Sequence, residues 1–559
     1  MTDRRFADLT LRQRTPPVRR LGVRARDRME PLTATWEGAI VRALHRHREG
    51  GADEQGRGRP APGRPALHPA ERAARGKAAR VKVPRTLQAE IEIPRDRDPV
   101  ALLEEQAVTR VPELVPIRYG RMLSSAFAFY RGGALIMATD LSRTLNSSIR
   151  TRLCGDAHLS NFGTFGSPER DLVFDVNDFD ETAPGPWEWD VKRLAASFAI
   201  AGRDNGFSRK EREAAVLATA RSYRKAMTGF AAMRNLQVWY ASLPMEQALR
   251  EFKAGVDPKR LKKAEADLAK ARTRDSMHAY EKLTHLVDGE PRIISDPPLI
   301  VPFVKLFPKG ERRNQIESEI RDLVRGYRGT LDSDLRALLD QFRYVDLARK
   351  AVGVGSVGTH DWIVLFLGVD GQDPLFLQIK EAQPSVLERF VGKSEYPNHG
   401  QRVVAGQRLM QAATDIFIGW RRVRSPLDGQ ERDFYVRQLK DWKGSLVIEA
   451  LGPPGLAAYG KVCGWTLARA HARSGDRIAI SAYLGKSDHF DRAMASFAET
   501  YADQNERDFA ALQAAVASGR VKAETGLWAP QLGAPAPSHH APLTRLVACV
   551  RGIGVFDLL

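Results

Sequence analysis

Two short polar segments constrain this chain more than any other feature of its sequence. Asp156 and Asn161 lie five positions apart in one predicted loop, and an acidic run with Asp178 and Asp180 follows after two predicted strands. Phosphoryl transfer uses such groups, because one carboxylate orients the attacking hydroxyl while an amide oxygen and a second carboxylate hold the metal ion. A fold that uses them must place the loop beside the end of the acidic strand.

Each polar residue of these segments has a candidate role. We expect Asp156 to act as catalytic base or to orient the acceptor hydroxyl, and Asn161 and Asp178 to bind Mg²⁺. Asp180 is a candidate second metal ligand or supporting group, and Asp175 competes with both aspartates for the metal. The structural alternative is an ordinary turn, since Gly, Asp and Asn favour turns. The arrival of Asp178 only 17 residues after Asn161 favours the site.

A further aspartate follows this acidic run. Asp190 lies near the start of a predicted helix at residues 187–201. We expect its carboxylate to accept hydrogen bonds from the backbone of the loop that carries Asp156. The alternative, an Asp stabilised by the positive end of a helix, is compatible with that role.

A glycine-rich segment and a lysine form the second informative group. Two strands are predicted after the glycines, at residues 362–367 and 375–379, and Lys380 follows the second. This order is the one in which a glycine hairpin covers the phosphates of ATP and a lysine reaches its α- and β-phosphates. The structural alternative is a plain hairpin with a surface lysine. The predicted nucleotide-binding residues of the hairpin are Gly353, Gly355, Ser356 and Gly358.

A lysine in this role is normally held by a carboxylate from the following helix. Our candidate is Glu388, in a predicted helical segment at 384–391, and Glu395 and Glu381 are its rivals.

The sequence divides into five regions. Residues 1–80 predict a basic, largely disordered tail, in which order begins near residue 81. Residues 81–349 form the first part of a helical lobe with the loop, and residues 208–350 within it are predominantly helical. Residues 350–451 are strand-rich, with a last strand expected at 445–450. Residues 452–528 return to helix, and residues 529–559 predict a loose tail.

Composition places the chain among soluble globular proteins. No run of 18 apolar residues occurs, so no membrane span is expected, and three scattered cysteines predict a reduced, cytoplasmic protein. The formal charge of +18 invites a nucleic-acid partner. However, residues 1–80 hold 19 Lys and Arg against 9 Asp and Glu, so about half of the excess lies in the tail. We expect at most weak, nonspecific binding of nucleic acid by that tail.

These motifs carry two family resemblances. The pattern from Gly155 to Asn161, with Asp178 and Asp190, resembles the aminoglycoside and choline phosphotransferase branch of the protein-kinase-like superfamily. From about residue 81 to 514 the chain also resembles the bacterial domain of unknown function 2252 (DUF2252) family. That resemblance is carried by residues 127–132, 154–163, 177–182, 353–358 and 378–381.

The first resemblance implies an α+β fold with two lobes, a small antiparallel β lobe and a large helical lobe. Kinase-like enzymes encode the glycine loop before the catalytic loop, whereas here Gly353 follows Asp156 by about 200 residues. We therefore expect a circularly permuted kinase-like fold, which is physically tolerable because termini and connections lie at the surface.

The expected function is transfer of the γ-phosphoryl group of ATP, with Mg²⁺, to a hydroxyl of a small molecule. The alternatives are a nucleotide-binding pseudokinase without transfer, transfer of AMP instead, or nucleic-acid binding through residues 1–80. The acceptor and the oligomeric state stay open.

Overall fold

The computed structural model describes residues 67–246, 275–307, 310–351, 353–424, 429–439 and 446–527, together with 248, 272, 442 and 444. The predicted tail at 529–559 and most of the predicted tail at 1–80 lie outside these residues.

Helices α1 to α17 and strands β1 to β12 are numbered in chain order. The helices are Pro69–Lys82, Pro99–Ala107, Val115–Met122, Ala126–Gly132, Ala134–Ser142, Trp187–Asp204, Arg209–Ala232, Asn235–Tyr240, Ser276–Leu283, Phe303–Leu306, Glu311–Arg328, Ser333–Leu339, Glu388–Val391, His399–Met410, Pro453–Ser474, Arg477–Leu484 and His489–Ala517. The strands are Arg150–Leu153, Phe162–Gly166, Leu172–Val176, Ala183–Pro186, Thr284–Val287, Glu290–Ile293, Ile300–Pro302, Arg343–Lys350, Trp362–Leu367, Pro374–Ala382, Gly419–Arg424 and Glu431–Gln438.

The largest sheet is antiparallel and has the strand order β11-β12-β10-β9-β8-β7. Side chains alternate between its faces, as the period of a strand requires. On β9, Val364 and Phe366 pack with Leu323 and Tyr327 of α11, whereas Ile363 on the opposite face packs with helix α9 and strand β6. Both faces of the central strands are therefore buried.

A bundle of long helices forms the other large part. Helix α7 packs along α15, and α6 packs against α17. Helix α6 is buried along most of its length. Its Trp187 stacks on Tyr223 of α7 with ring centroids 5.6 Å apart. The capping box of Ser208 and Glu211 starts α7, as the sequence predicts.

The α+β class and the hairpin of β2 and β3 are confirmed. Three local expectations differ from the structure. Helix α1 already begins at Pro69, before the start of order expected near residue 81, and the His68 side chain and Glu71 form a capping box at its N-terminus. Residues 343–350 form β8 rather than helix, because pairing with β9 overrides local propensity. The strand expected at 445–450 is a short 3₁₀ turn at Ile448–Ala450, because α15 begins directly afterwards.

Among the described residues, no helix combines the length and the apolar character that crossing a membrane would require.

Candidate functional site

The loop after β1 is fixed from behind by a buried carboxylate. Asp190, in the first turn of α6, accepts hydrogen bonds from the backbone nitrogens of Cys154 at 2.8 Å and Gly155 at 3.0 Å. This contact confirms the role predicted for Asp190. Gly155 has a φ of +87°, and a Cβ there would collide with the carbonyl oxygen of Glu181, so the position requires glycine.

Asp156 projects from this loop and is held by an arginine of α6. The Asp156 Oδ1 atom accepts from Arg193 Nε at 2.8 Å and lies 2.7 Å from Arg193 Nη2. Arg193 also stacks on the ring of Tyr130 at 4.0 Å. Burial raises the pKa of Asp156 above its usual range, although the charge of Arg193 opposes that shift. The position of the carboxylate is therefore fixed while its basicity is increased.

The β2–β3 hairpin places Asn161 beside Asp178. The Asn177 backbone nitrogen donates to the Asn161 carbonyl at 2.8 Å, which continues the strand pairing, and Asp178 follows directly. The Asn161 side-chain nitrogen donates to the Asp156 carbonyl at 2.8 Å. Burial raises the pKa of Asp178, and the neighbouring Asp180 charge adds to the shift.

Asp175 is the one metal candidate that lies elsewhere. Its carboxylate accepts from Arg469 Nη2 at 2.5 and 2.6 Å and from the Ala412 backbone nitrogen at 2.9 Å. Both groups of this ion pair are buried. Asp175 therefore pairs with Arg469 inside the protein, away from Asp156 and Asp178.

Lys380 crosses from the large sheet to the acidic run. Its Nζ atom lies 2.5 Å from Asp180 Oδ2, and the Tyr435 hydroxyl donates to Asp180 Oδ1 at 2.6 Å. Lys380 and Tyr435 lie opposite each other on β10 and β12, so both reach the same carboxylate. Burial alone would lower the pKa of Lys380, but Asp180 raises it well above its usual value. The lysine is therefore charged.

The three carboxylates expected near Lys380 have other partners. Glu388 lies 3.7 Å from Arg402, Glu395 lies 2.5 Å from Arg152, and Glu381 lies 2.6 Å from His360. The expected pairing of Glu388 with Lys380 is therefore replaced by Asp180 from the other part of the molecule. Glu388 begins the short helix α13, which directly follows β10, and its partner Arg402 lies on helix α14.

The glycine segment forms the connection between β8 and β9, as expected. Gly353 and Gly358 have φ values of +69° and +95°. Arg121 Nη1 donates to the Gly353 carbonyl at 2.6 Å, and Arg110 Nη1 donates to the Val357 carbonyl at 2.6 Å. The loop therefore rests on the segment that joins α2 to α3 and on α3 itself.

The loop, the acidic run and the glycine segment line one cavity of about 200 Å³. Of the predicted residues it is lined by Asp156, Asn161, Asp178, Asp180, Gly353, Gly355 and Ser356. A larger open groove, of about 720 Å³, shares Arg110, Glu381 and Gln383 with this cavity. The structure thus brings together the two groups of residues that are about 200 positions apart in sequence.

Several charged residues at or near the cavity are not evident from sequence motifs. Arg118, Arg131 and Glu181 line it, and the charge of the buried Asp361 acts on Lys380. Burial raises the pKa of Asp361 and of Glu181 to about 7 in each case. Asp361 could have been identified from the sequence, because it lies between the glycine segment and β9.

The oxygen atoms at this site suit a magnesium ion. Asp178 and Asn161 offer a carboxylate and an amide oxygen, and Mg²⁺ in proteins takes one or two carboxylates and completes its shell with phosphates and water. Both oxygens of Asp180 already bind Lys380 and Tyr435. No cluster of three His, Cys, Asp or Glu side chains with metal-binding geometry occurs among the described residues. A metal here would therefore rest on Asn161 and Asp178 rather than on a closed protein cage.

Comparison with protein families gives one match. The model of a family described as an uncharacterized protein conserved in bacteria (DUF2252) matches residues 110–515, which is more than half of the chain. Neither the curated proteins nor the solved structures contain a match.

Proposed function

The chain belongs to the DUF2252 family, and from its site we propose that it is an ATP- and Mg²⁺-dependent phosphotransferase that acts on a hydroxyl of a small molecule. The observation that carries this proposal is the 2.5 Å contact of Lys380 with Asp180. That contact joins a lysine on a strand after a glycine loop to an acidic run beside Asp156 and Asn161.

The order of elements supports a kinase-like, circularly permuted arrangement. A glycine loop joins β8 to β9, the lysine lies on the next strand β10, and helix α14 follows before β11. Kinases use this succession to hold nucleotide phosphates, with the lysine on their third strand. Here the whole succession is encoded after the loop that carries Asp156, so the small lobe would follow the first part of the large lobe.

Each group then has a role in the transfer. The acceptor hydroxyl gives its proton to Asp156, its oxygen bonds to the γ-phosphorus, and the bond to the bridging oxygen breaks, so that ADP leaves with the electron pair. Bound through Asn161 and Asp178, Mg²⁺ would neutralise phosphate charge. Lys380 adds a fixed positive charge, and Asp180 orients it. Arg193 keeps Asp156 in position.

The volumes of the cavity and the groove support a division of the nucleotide between them. A cavity of about 200 Å³ is smaller than the ~300–1,000 Å³ of most small-molecule sites. It suits the polyphosphate with its metal. The adjoining groove of about 720 Å³ then takes the nucleoside, along the boundary marked by Glu381 and Gln383.

The test is Mg²⁺-dependent formation of ADP from ATP by the full chain, with a panel of sugars, amino alcohols and hydroxy acids as acceptors. We expect Asp156→Asn to reduce transfer by about 10²–10⁴-fold, the contribution typical of a general base. Affinity for an ATP analogue should stay within about threefold, because Asp156 is assigned to the acceptor and not to the nucleotide.

Asp171→Asn is the matched control. Asp171 is an exposed carboxylate in the β2–β3 turn, where its backbone rather than its side chain makes the turn contacts. This variant should transfer phosphate like the wild type. Release of pyrophosphate with AMP on the acceptor would reject the kinase assignment while it retained the nucleotide site.

A second candidate function is nucleotide binding without transfer. The observation that favours it is the contact of Arg193 Nε and Nη2 with Asp156 Oδ1, which occupies one of the two oxygens that could accept a proton. Binding of the ATP analogue without turnover of any acceptor in the panel would support this candidate. Weak binding of nucleic acid by residues 1–80 stays a proposal, tested by deletion of that segment and by salt dependence.

A further inference from the structure

Three arginines line the cavity and have no part in the transfer as described above. They are Arg110, Arg118 and Arg131, from the segment that includes α3 and α4. Asp156, Asp178 and the glycine segment line the same cavity.

Arg118 is only 1% exposed, yet no carboxylate pairs with it in the described part of the chain. Its Nη2 atom donates to Gln106 Oε1 at 3.0 Å and to the Gly132 carbonyl at 3.1 Å. Its Nε and Nη1 atoms have no hydrogen-bond partner among those residues. A buried guanidinium without an anion is costly, so this position is built for a negative ligand.

Several buried arginines elsewhere in the protein have anionic partners. Arg97 binds Asp508 and Asp140, and Arg224 binds Asp491. Arg477 has no ion pair within the described residues, but it donates to two backbone carbonyls and to Asn235 Oδ1. Arg118 is the exception, because two of its guanidinium nitrogens have no partner there at all. The exception at the cavity is therefore a feature of the site and not of the protein's general packing.

Arg131 and Arg110 add positive charge to the same cavity. Arg131 makes no hydrogen bond or ion pair with any described residue, and its charge acts on Asp156 and His158. Arg110 binds the Val357 carbonyl through Nη1, but its Nε atom has no partner within the described ranges. Burial lowers the pKa of all three arginines, since each lacks the close carboxylate that would offset the lost solvation.

We propose that the acceptor of the transferred phosphoryl group is an anion, a phosphorylated or carboxylated hydroxy compound whose negative group binds Arg118 and Arg131. This inference rests on the proposed function. The acceptor hydroxyl must meet the Asp156 carboxylate, and Arg118 and Arg131 line the same cavity as that carboxylate. Asp178 serves the nucleotide through the metal, and Lys380 lies behind the cavity residue Asp180.

The phosphates of ATP are a second anionic group that the arginines could bind. The experiment therefore titrates inorganic phosphate into the full chain by calorimetry, with and without saturating Mg²⁺ and a non-hydrolysable ATP analogue. We expect phosphate to bind in the presence of the analogue and Arg118→Gln to weaken that binding at least tenfold. Affinity for the analogue should change by less than about threefold.

Two further variants keep the test interpretable. Arg131→Gln alters a partly exposed residue and should also weaken phosphate binding if Arg118→Gln fails to fold. Arg143→Gln, at an exposed arginine just after α5, should leave phosphate binding unchanged. In turnover assays we expect anionic hydroxy compounds to be preferred over neutral ones, and Arg118→Gln to raise KM for them at least tenfold with a smaller change in kcat.

The outcomes separate the two proposals. Displacement of phosphate by the analogue would assign the arginines to the nucleotide and overturn the anionic acceptor, while the phosphotransferase would stand. Equal phosphate binding by wild type and both arginine variants would overturn it as well. Phosphate binding that depends on Arg118 without any analogue binding would reject the acceptor assignment together with the proposed function.

Discussion

The two walls of the cavity are built in different ways. In residues 150–204, the loop and its supports are neighbours in sequence, since Asp190 holds Gly155 and Arg193 holds Asp156. On the large sheet, the polar groups meet partners from about 200 positions earlier, as Lys380 does with Asp180. The side chains that hold the loop of the first wall therefore come from its own segment, whereas the second wall is completed only when the sheet packs against the acidic run.

This difference predicts which substitutions affect the stability of the fold and which affect ligand binding. Removal of a support behind the loop should unfold or loosen that wall, because buried backbone groups lose their acceptor. A change at the contact between the walls should affect nucleotide binding first, because that contact lies at the cavity itself. The contact includes Lys380 and Tyr435 with Asp180, and Arg437 Nη1 with the Asn177 carbonyl at 3.3 Å.

The largest effect on stability is expected from Asp190→Ala. The change leaves the buried backbone nitrogens of Cys154 and Gly155 without their acceptor, and His471 loses its contact at 3.0 Å. Because each unsatisfied group costs ~1–3 kcal/mol, we expect the free energy of unfolding to fall by about 3 kcal/mol. Denaturant titration measures it, with the exposed Asp171→Ala as control. A loss below about 1 kcal/mol would contradict the view that this wall is supported from behind.

A smaller effect, on binding, is expected from Lys380→Met. It removes a charged hydrogen-bond donor from the phosphate site, worth about 1.5–3 kcal/mol, so affinity for the Mg²⁺ complex of an ATP analogue should fall about 10–100-fold. Calorimetry measures this change. Adding Asp180→Asn to Lys380→Met should change affinity little further, because Asp180 is assigned to act through the lysine.

Glu388→Gln is the matched control, since Glu388 binds Arg402 and not Lys380. We expect its affinity for the analogue to stay within about twofold of the wild type. If Glu388→Gln weakened binding as much as Lys380→Met, the assignment of Asp180 as the partner of the lysine would be wrong.

The same contrast explains what the sequence can predict. The hairpin of β2 and β3 and the role of Asp190 depend on spacing within about 35 residues, where local periodicity and turn chemistry carry the information. The glycine connection and the position of Lys380 on a strand are also local features. The carboxylate that meets Lys380 is not, because three nearby glutamates fit the pattern equally well. Only the packing of the sheet against the acidic run selects Asp180.

The burial of Arg118 is unpredictable from sequence for a related reason. Arginine is a common surface residue, and nothing in residues 115–122 marks one of its two arginines as lacking a carboxylate. That property depends on which acidic side chains the fold brings near. Residues whose partner is a ligand are thus the hardest to identify from sequence, because that partner is not part of the chain.

The smallest effect is expected at the sheet wall, from Asp361→Asn. Asp361 is buried beside the Lys380–Asp180 contact, its Oδ1 atom accepts from the Thr359 hydroxyl at 3.0 Å, and its Oδ2 atom has no partner among the described residues. Burial raises its pKa to about 7, although Lys380 opposes the shift. Between about pH 4 and pH 7 the folded protein therefore keeps a proton that the unfolded chain has lost.

The sign of the pH dependence follows directly. Because the folded state binds the extra proton, the Asp361 contribution to the free energy of unfolding falls as pH rises through this window, and the penalty is complete above about pH 7. Asn cannot ionise and still accepts from Thr359, so Asp361→Asn should be more stable than the wild type by about 2 kcal/mol at pH 5.5, halfway through this window, and nearly equal at pH 4. Glu181 titrates in both proteins, so its contribution cancels when the free energy of unfolding of the wild type is subtracted from that of the variant. Denaturant titrations at both pH values measure it, and a gap independent of pH would show that Asp361 is already ionised, and so paired with the charge of Lys380 across the sheet wall.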